Sequence, residues 1–432
     1  MIVSKFGGSS VKDASSILNC LAILKENRQR SVVIVSASGK TTNELEIIWN
    51  SKEPHSLIKD VFNKHRDLAR ELGIYHLCQI YMDDLETQAK ECLNHRTQNH
   101  LRDQLLSFGE RLSSFIFYRK AQEVLAPREV IFDHAYELIQ TNSFYGEADP
   151  LQDETHRNIK KRFEKLAPEA LVITQGFLGQ NEEKNITTLG REGSDFSASL
   201  FASALDSEIL EIWTDVDGIY DRDPHRFENA KRLDHLSYEQ ADTLAKSGMK
   251  VLFKRTIEPI NKNRTRVFVG QTSNPQKGGT IISSEGNKEL KRLGMAIKEN
   301  ITQINIAFNS DVSSNEHGLE NIKALLDQCK IHPLFLSYKS VILENNEKIS
   351  SFVSKLKEFC CPVIFTNQIM INLVGDELLC LKQPLDNVLE EYEKEGKTFE
   401  VVEYRKNFIG LITSSAKDHF DCSRLEKLFF GP

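Results

Sequence analysis

The chain has 432 residues, of which 40% are hydrophobic and 27% charged, enough for roughly two or three globular domains. No apolar run approaches the ~20 residues of a membrane span, and no basic stretch followed by an apolar core marks a secretory signal. A net charge of −7 argues against a broad nucleic-acid-binding face. Eight cysteines, at 20, 78, 92, 329, 360, 361, 380 and 422, form no CxxC pair, which predicts reduced thiols in a cytoplasmic protein rather than a zinc site.

The first segment is an apolar start that runs into Ser4-Lys5-Phe6-Gly7-Gly8-Ser9-Ser10-Val11. A strand ending in lysine and paired glycines is either a plain turn or a phosphate cradle. In the second case backbone approaches closely at the glycines, and the following amides and Lys5 attract anion. A helical pattern over 13–27 leads to a continuous apolar strand at 31–35. Ser36-Ala37-Ser38-Gly39-Lys40-Thr41-Thr42-Asn43 then imitates the end of a P-loop. Ile34 stands where the first P-loop glycine belongs, so that reading fails. Ser36 and Thr42 remain as hydroxyl donors to a small substrate.

Residues 52–105 are polar and helical in pattern and read as an inserted helical subdomain or lid. Within the helix expected over 103–124, Glu110 is either a first-turn acid favoured by the helix dipole or the partner of a substrate ammonium group. After a strand at 170–174 comes Thr188-Leu189-Gly190-Arg191-Glu192-Gly193-Ser194-Asp195, which opens a helix at Ser194/Asp195. A serine or aspartate cap would serve there. A cap, however, needs neither the arginine nor both glycines, and Arg191 can grip a carboxylate or phosphate through two parallel hydrogen bonds.

The strand at 209–213 delivers Trp213-Thr214-Asp215-Val216-Asp217-Gly218-Ile219-Tyr220-Asp221-Arg222-Asp223-Pro224 to its carboxyl end, where open α/β sheets bind ligands. The four aspartates lack the order of a calcium loop. A nucleotide-contacting loop fits, with Tyr220 stacking or hydrogen-bonding and Asp215 meeting ribose or base. A helix over 237–246 ends in a Ser247-Gly248 C-cap, followed by Lys250, either a surface lysine or a second cation for phosphate. The last strand of this half, 266–269, precedes Gly278-Gly279-Thr280. Strands alternating with helices predict an α/β fold with a mainly parallel sheet. Beyond a polar linker at 283–291, strands at 302–307, 369–374 and 408–412 and a helix at 317–329 predict two small α/β modules.

Together these segments resemble the aspartate kinases of the amino acid kinase family, closest to the monofunctional lysine-sensitive bacterial type. The resemblance rests on Lys5 to Val11, Ser36-Ala37-Ser38 with Thr42-Asn43, Phe108-Gly109-Glu110, Thr188 to Asp195, Trp213 to Tyr220, Gly248 to Leu252, and Phe268-Val269-Gly270 with Gly278-Gly279-Thr280. It implies an αβα sandwich over 1–285 and a pair of ACT-like, ferredoxin-like α+β regulatory modules over 286–432. The implied reaction carries the ATP γ-phosphate to the β-carboxylate of L-aspartate, giving 4-phospho-L-aspartate, the first step toward lysine, threonine, methionine and diaminopimelate. Lys5 and Asp195 would be catalytic. Ser36, Thr42, Glu110, Arg191 and Ser194 would bind aspartate, with Glu110 on its ammonium and Arg191 on a carboxylate. Lys5, Gly7, Gly8, Ser9, Thr214, Asp215, Tyr220 and Lys250 would hold ATP. Mg²⁺ would ride on the nucleotide phosphates with no dedicated protein site.

The sequence departs from the family at Glu192, where glycine is usual, at His225, where arginine is usual, and at Phe253-Lys254, in place of His-Pro. The resemblance further implies a homodimer or higher homo-oligomer and an amino-acid effector, with lysine foremost, held by the loop over 309–318. No nucleic-acid or membrane partner is expected. Alternatives are the same fold with glutamate, UMP or carbamate as acceptor, or a non-catalytic amino-acid sensor.

Overall fold

The computed structural model describes residues 1–249, 254–261, 263–287, 291–308, 315–329, 331–346, 348–358, 360–414 and 421–431. The chain forms two compact units. The first comprises Met1–Ile219, Arg232–Tyr238 and Leu252–Gly286, and the second Tyr220–Lys231, Glu239–Val251 and Asn287–Pro432.

The first unit is built on an eight-stranded sheet. Its strands are β1 (Ile2–Phe6), β2 (Arg30–Val35), β3 (Val130–Phe132), β4 (Leu171–Gln175), β7 (Ile209–Thr214), β8 (His235–Ser237), β9 (Arg266–Gln271) and β10 (Gly279–Ser283), in the order β3-β4-β2-β1-β7-β9-β10-β8. A separate hairpin pairs β5 (Leu178–Gln180) with β6 (Ile186–Thr188). Every neighbouring pair in the large sheet is parallel except β9 with β10. The central strands β1, β2 and β4 are buried at every position, as expected for strands covered on both faces. Side chains alternate across the sheet, so Phe6 and Lys5 serve opposite faces.

On the Phe6 face lie α1 (Ala14–Glu26), α2 (Thr41–Asn50), α3 (Pro54–Glu71), α4 (Tyr75–Asn94) and α5 (Asn99–Val124). Asp13 caps α1 by accepting from the Ser16 amide at 2.8 Å. Ile58 and Phe62 of α3 and Met82 and Leu85 of α4 share one core with Phe6, Val33 and Val35, so residues 52–105 are part of the main hydrophobic core. The helix read over 103–124 begins four residues earlier, at Asn99. After the short α6 (Ala135–Leu138) and α7 (Gln152–Phe163), α8 (Gly193–Ala204) packs against β1, β2 and β7. Its small residues, Gly, Ser and Ala, permit close approach, and every residue except Ser194 is buried. Helices α9 (Tyr238–Lys246) and α10 (Lys254–Asn261) follow.

The second unit carries a six-stranded antiparallel sheet in the order β12-β13-β11-β14-β16-β15. Two long strands, β11 (Arg292–Phe308) and β14 (Cys360–Gly375), run through both halves of it. With β12 (Phe335–Leu336), β13 (Ser340–Glu344), α11 (Asn315–Cys329) and α12 (Ile349–Leu356), they enclose one core around Ile304, Leu326, Val341 and Phe352. With β15 (Phe399–Arg405), β16 (Phe408–Ser414), α13 (Lys382–Lys394) and α14 (Ser423–Phe430), they enclose another around Met295, Ile371, Tyr392, Leu411 and Phe429. The two α+β modules thus share strands that the alternating sequence pattern revealed only in part.

One polar network lies inside the first unit. The Glu211 carboxylate of β7 accepts from Arg30 Nε (2.7 Å) and Nη2 (2.9 Å), Ser4 Oγ (2.8 Å) and Trp213 Nε1 (2.9 Å). Removing one member of a buried pair leaves the other charge uncompensated. Glu211→Ala is therefore expected to destabilise the fold by about 3–5 kcal/mol. Urea unfolding followed by tryptophan fluorescence measures this, and a loss below about 1 kcal/mol would contradict it.

Candidate active site

The carboxyl ends of β1, β2, β4 and β7 converge on the expected catalytic residues. Lys5 is the penultimate residue of β1, paired in register with Ile34 on β2 and Ile212 on β7. Its Nζ lies 2.5 Å from Asp195 Oδ1 in the first turn of α8, and the two side chains are only 10% and 11% exposed. Residues 190 positions apart in sequence thus form one nearly dry ion pair.

The glycine turn follows directly. Gly7 donates its amide to Trp213 O at 3.0 Å. A Cβ on Gly8 would lie 2.7 Å from Ala37 O and 2.8 Å from Gly39 O, so no side chain fits there without moving backbone. The contact is locked by the Gly39 amide donating to Gly8 O at 2.9 Å and the Ser36 amide to Phe6 O at 3.2 Å. Ser9 is half-buried in the short 3₁₀ turn Gly8–Val11.

Glu110 lies on α5 where the helix approaches the Ser36–Thr42 loop. Gly109 permits this, since a Cβ there would already sit 3.0 Å from Ala37 Cβ. Glu110 Oε1 accepts from Thr42 Oγ1 at 3.3 Å and, at long range, from the Ala37 amide at 3.4 Å. Oε2 is buried and accepts no hydrogen bond among the described residues. Burial pushes this carboxyl up to about 8. A buried carboxylate with an unused oxygen is a site for a cationic donor. The geometry therefore favours the substrate-facing reading over the helix-dipole one.

The 188–195 segment differs from expectation at its helix start. The helix begins at Gly193, with Glu192 in the cap position and no side-chain cap, so neither Ser194 nor Asp195 caps it. The Asp195 carboxylate is instead committed to Lys5. Ser194 is half-buried, and a Cβ on Gly176, just past β4, would lie 2.6 Å from Ser194 Cβ. Arg191 is exposed. Glu192 takes a left-handed conformation, φ +56° and ψ 24°, which explains why glycine suits this position. Although Glu192 is exposed overall, its carboxyl is pushed above its ordinary range by desolvation and then by the Asp195 charge, with Lys5 opposing.

Sequence reasoning missed Asp103. Its buried Oδ2 accepts the amides of Thr188 (2.7 Å) and Gly146 (2.9 Å), tying α5 to the loop that carries Arg191. The signal was available: Asp103 and Glu110 are seven residues apart, hence on one face of a helix.

In the expected nucleotide loop, Thr214 ends β7 and its hydroxyl donates to Asp215 Oδ1 at 3.1 Å. Thr214 O accepts the Thr272 amide at 3.0 Å, and Asp215 itself is exposed. Gly218 has φ +135°, and the following Ile219 amide donates to Thr280 Oγ1 at 2.8 Å. The Ile219–Thr280 tie accounts for the threonine of the Gly278-Gly279-Thr280 segment. Tyr220 is half-buried and belongs to the second unit, as does His225, whose amide donates to Asp223 Oδ1 at 2.9 Å. The expected C-cap is present: Gly248 has φ +94° and the Met249 amide donates to Leu244 O at 3.1 Å. Lys250, Phe253 and the 309–314 part of the effector loop lie outside the described residues, as does the side chain of Lys254.

The left-handed backbone at Glu192 makes its own prediction. Glu192→Gly should stabilise the protein by about 1 kcal/mol, read as a rise in urea midpoint. An unchanged or lowered midpoint would show that the backbone there is unstrained.

The amino acid kinase family matches residues 1–271. Lysine-sensitive aspartokinase 3 of Escherichia coli K12 is 31% identical over 319 residues, spanning 71% of this chain and 69% of that protein. The aspartokinase of Chlamydia trachomatis is 30% identical over 332 residues, spanning 75% and 74% respectively. The crystal structure of E. coli aspartokinase III in complex with aspartate and ADP superposes with a TM-score of 0.85 at 24% identity, covering 96% of each chain. With the Lys5–Asp195 pair and the glycine cradle in place, these similarities identify the chain as a member of the amino acid kinase family, among its aspartokinases.

Proposed function

We propose that the protein is an aspartate kinase that transfers the γ-phosphate of ATP to the β-carboxylate of L-aspartate. The observation that carries this reading is the buried Lys5–Asp195 pair at the end of β1, set beside a Gly7-Gly8 turn that admits phosphate. The names of the relatives support the acceptor, and the E. coli structure contains aspartate and ADP.

The residues suit the chemistry. A carboxylate is ionised and nucleophilic at neutral pH, so no general base is required. Phosphoryl transfer then depends on positioning and charge neutralisation. Lys5 is the fixed cation for charge on the phosphoryl oxygens, and Asp195 holds its ammonium in place. Gly7, Gly8 and Ser9 supply close backbone. Thr214, Asp215, Tyr220 and Lys250 take the nucleotide. Ser36, Thr42, Arg191 and Ser194 line the aspartate site, and Glu110 offers Oε2 to the ammonium. Mg²⁺ would arrive on the nucleotide phosphates and neutralise their charge.

In this reading residues 1–285 are the catalytic domain and 286–432 the regulatory pair. The "lysine-sensitive" name of the E. coli relative supports lysine as effector. A homo-oligomer is expected, since ACT-like strands pair across subunits. The eight cysteines are free thiols, which supports a cytoplasmic setting, and no described helix is long and apolar enough to cross a membrane.

A coupled ADP assay with aspartate, glutamate, UMP and carbamate tests the acceptor. Turnover is expected with aspartate, with Lys5→Ala abolishing it while the fold survives. Preference for another acceptor would overturn the assignment. The raised Glu110 pKa adds a pH signature. Only the ionised form attracts an ammonium group, and kcat/KM reports the free enzyme. Hence kcat/KM for aspartate should climb up to about tenfold per pH unit below about 8 and level off above it. Glu110→Gln should flatten that rise and lower kcat/KM. A pH-independent parent would remove Glu110 from the substrate site.

A further inference from the structure

Two residues beyond Tyr220 stands a buried arginine that phosphoryl transfer does not require. Arg222 is 4% exposed. Its Nε and Nη2 donate to Asp221 Oδ1 and Oδ2, each at 3.0 Å, and its Nη1 donates to Glu426 Oε1 on α14 at 2.5 Å. The Phe430 ring of the same helix lies 3.5 Å from the guanidinium carbon. Asp221 is fixed in turn: Oδ1 accepts the Lys231 amide at 2.9 Å, and its carbonyl accepts the Met295 amide of β11 at 2.8 Å. The helix is held by Leu425 and Phe429 in a core with Ile371 and Leu411, and the Tyr392 hydroxyl donates to Asp421 O at 3.1 Å.

A guanidinium that bridges two carboxylates and stacks on an aromatic ring has little conformational freedom. Two residues of chain reach at most about 7 Å, so the backbone at Tyr220 inherits that restraint. We infer that Arg222 is a positioning residue for the nucleotide: it clamps the segment after Tyr220 to the C-terminal helix, so that ATP affinity depends on α14. This rests on the reading of Tyr220 as a nucleotide contact.

The test uses the full-length chain with Arg222→Ala, Arg222→Lys and Glu426→Gln, measuring KM for ATP and for aspartate separately, alongside binding of a fluorescent ATP analogue and thermal melting. Arg222→Ala is expected to raise KM for ATP at least fivefold and leave KM for aspartate within twofold. Arg222→Lys, which keeps one ion pair, should restore part of the loss, and Glu426→Gln should give a rise of two- to threefold. A purely structural arginine would lower the melting temperature and the active fraction while leaving both KM values in place. That result, or an equal rise in both, overturns the inference. Should Arg222→Ala fail to fold, Glu426→Gln decides on the same criteria. Should the parent show no aspartate-dependent turnover, the enzymatic reading falls and the clamp is judged on analogue affinity alone: a matching loss upholds it and an unchanged affinity overturns it.

Discussion

The site is organised by the ion pair between Lys5 and Asp195. Taking two charges out of water costs several kcal/mol each in general terms, and a buried pair seldom repays that as stability. Its presence therefore says more about chemistry than about folding. Lys5 must sit in a strand interior to be aimed without slack, and β1 is central, flanked by parallel β2 and β7. Asp195 must reach it from a helix start, which demands a helix able to approach the sheet closely. The Ser/Ala composition of α8 and the bare Cα of Gly176 against Ser194 satisfy that demand.

The same logic separates two acids on α5. Asp103 spends Oδ2 on two backbone amides and fixes a loop. Glu110 spends one oxygen weakly and keeps the other dry and unused. Both are desolvated, and burial raises both pKa values. Two short backbone donors, at 2.7 and 2.9 Å, stabilise the charge on Asp103, whereas Glu110 has only the longer contacts of the Ala37 amide and the Thr42 hydroxyl. Each acid keeps one buried oxygen without a hydrogen bond among the described residues, so the two differ in the length of the contacts made by the other oxygen.

Much of this was legible in the sequence where the signal is local. Continuous apolar runs marked β2, β4, β7 and β9, and the Gly7-Gly8 pair marked a turn in which Gly8 has no room for a Cβ beside Ala37 O and Gly39 O. What escaped depends on distant chain. The start of α8 was misplaced because Ser194 and Asp195 look like caps, while the left-handed residue that ends the loop is a glutamate. The full lengths of β11 and β14 were hidden because their flanks are mixed in polarity and gain their partners only on folding: Arg292 pairs with Gly375 and Phe308 with Cys360. Asp103 was overlooked because its partners are backbone amides, which leave no mark in side-chain identity.

The path of the chain limits how the nucleotide segments can be built. It passes into the second unit at Tyr220, returns at Arg232, leaves again at Glu239 and returns at Leu252. Within the second unit, Phe227 joins the core of Met295 and Ile371, and Asn372 Nδ2 of β14 donates to Ser247 O at 2.7 Å. A Cβ on Gly248 would lie 2.5 Å from Lys298 Cε on β11. The ends of two segments expected to meet ATP are thus anchored on β11 and β14. A packed core changes between discrete arrangements rather than by continuous deformation. A change of packing around those strands would therefore bear on the backbone next to Tyr220 and at Gly248. By the same connectivity, Glu110, Thr42 and Ser194, the residues proposed to line the aspartate site, are carried wholly by the first unit.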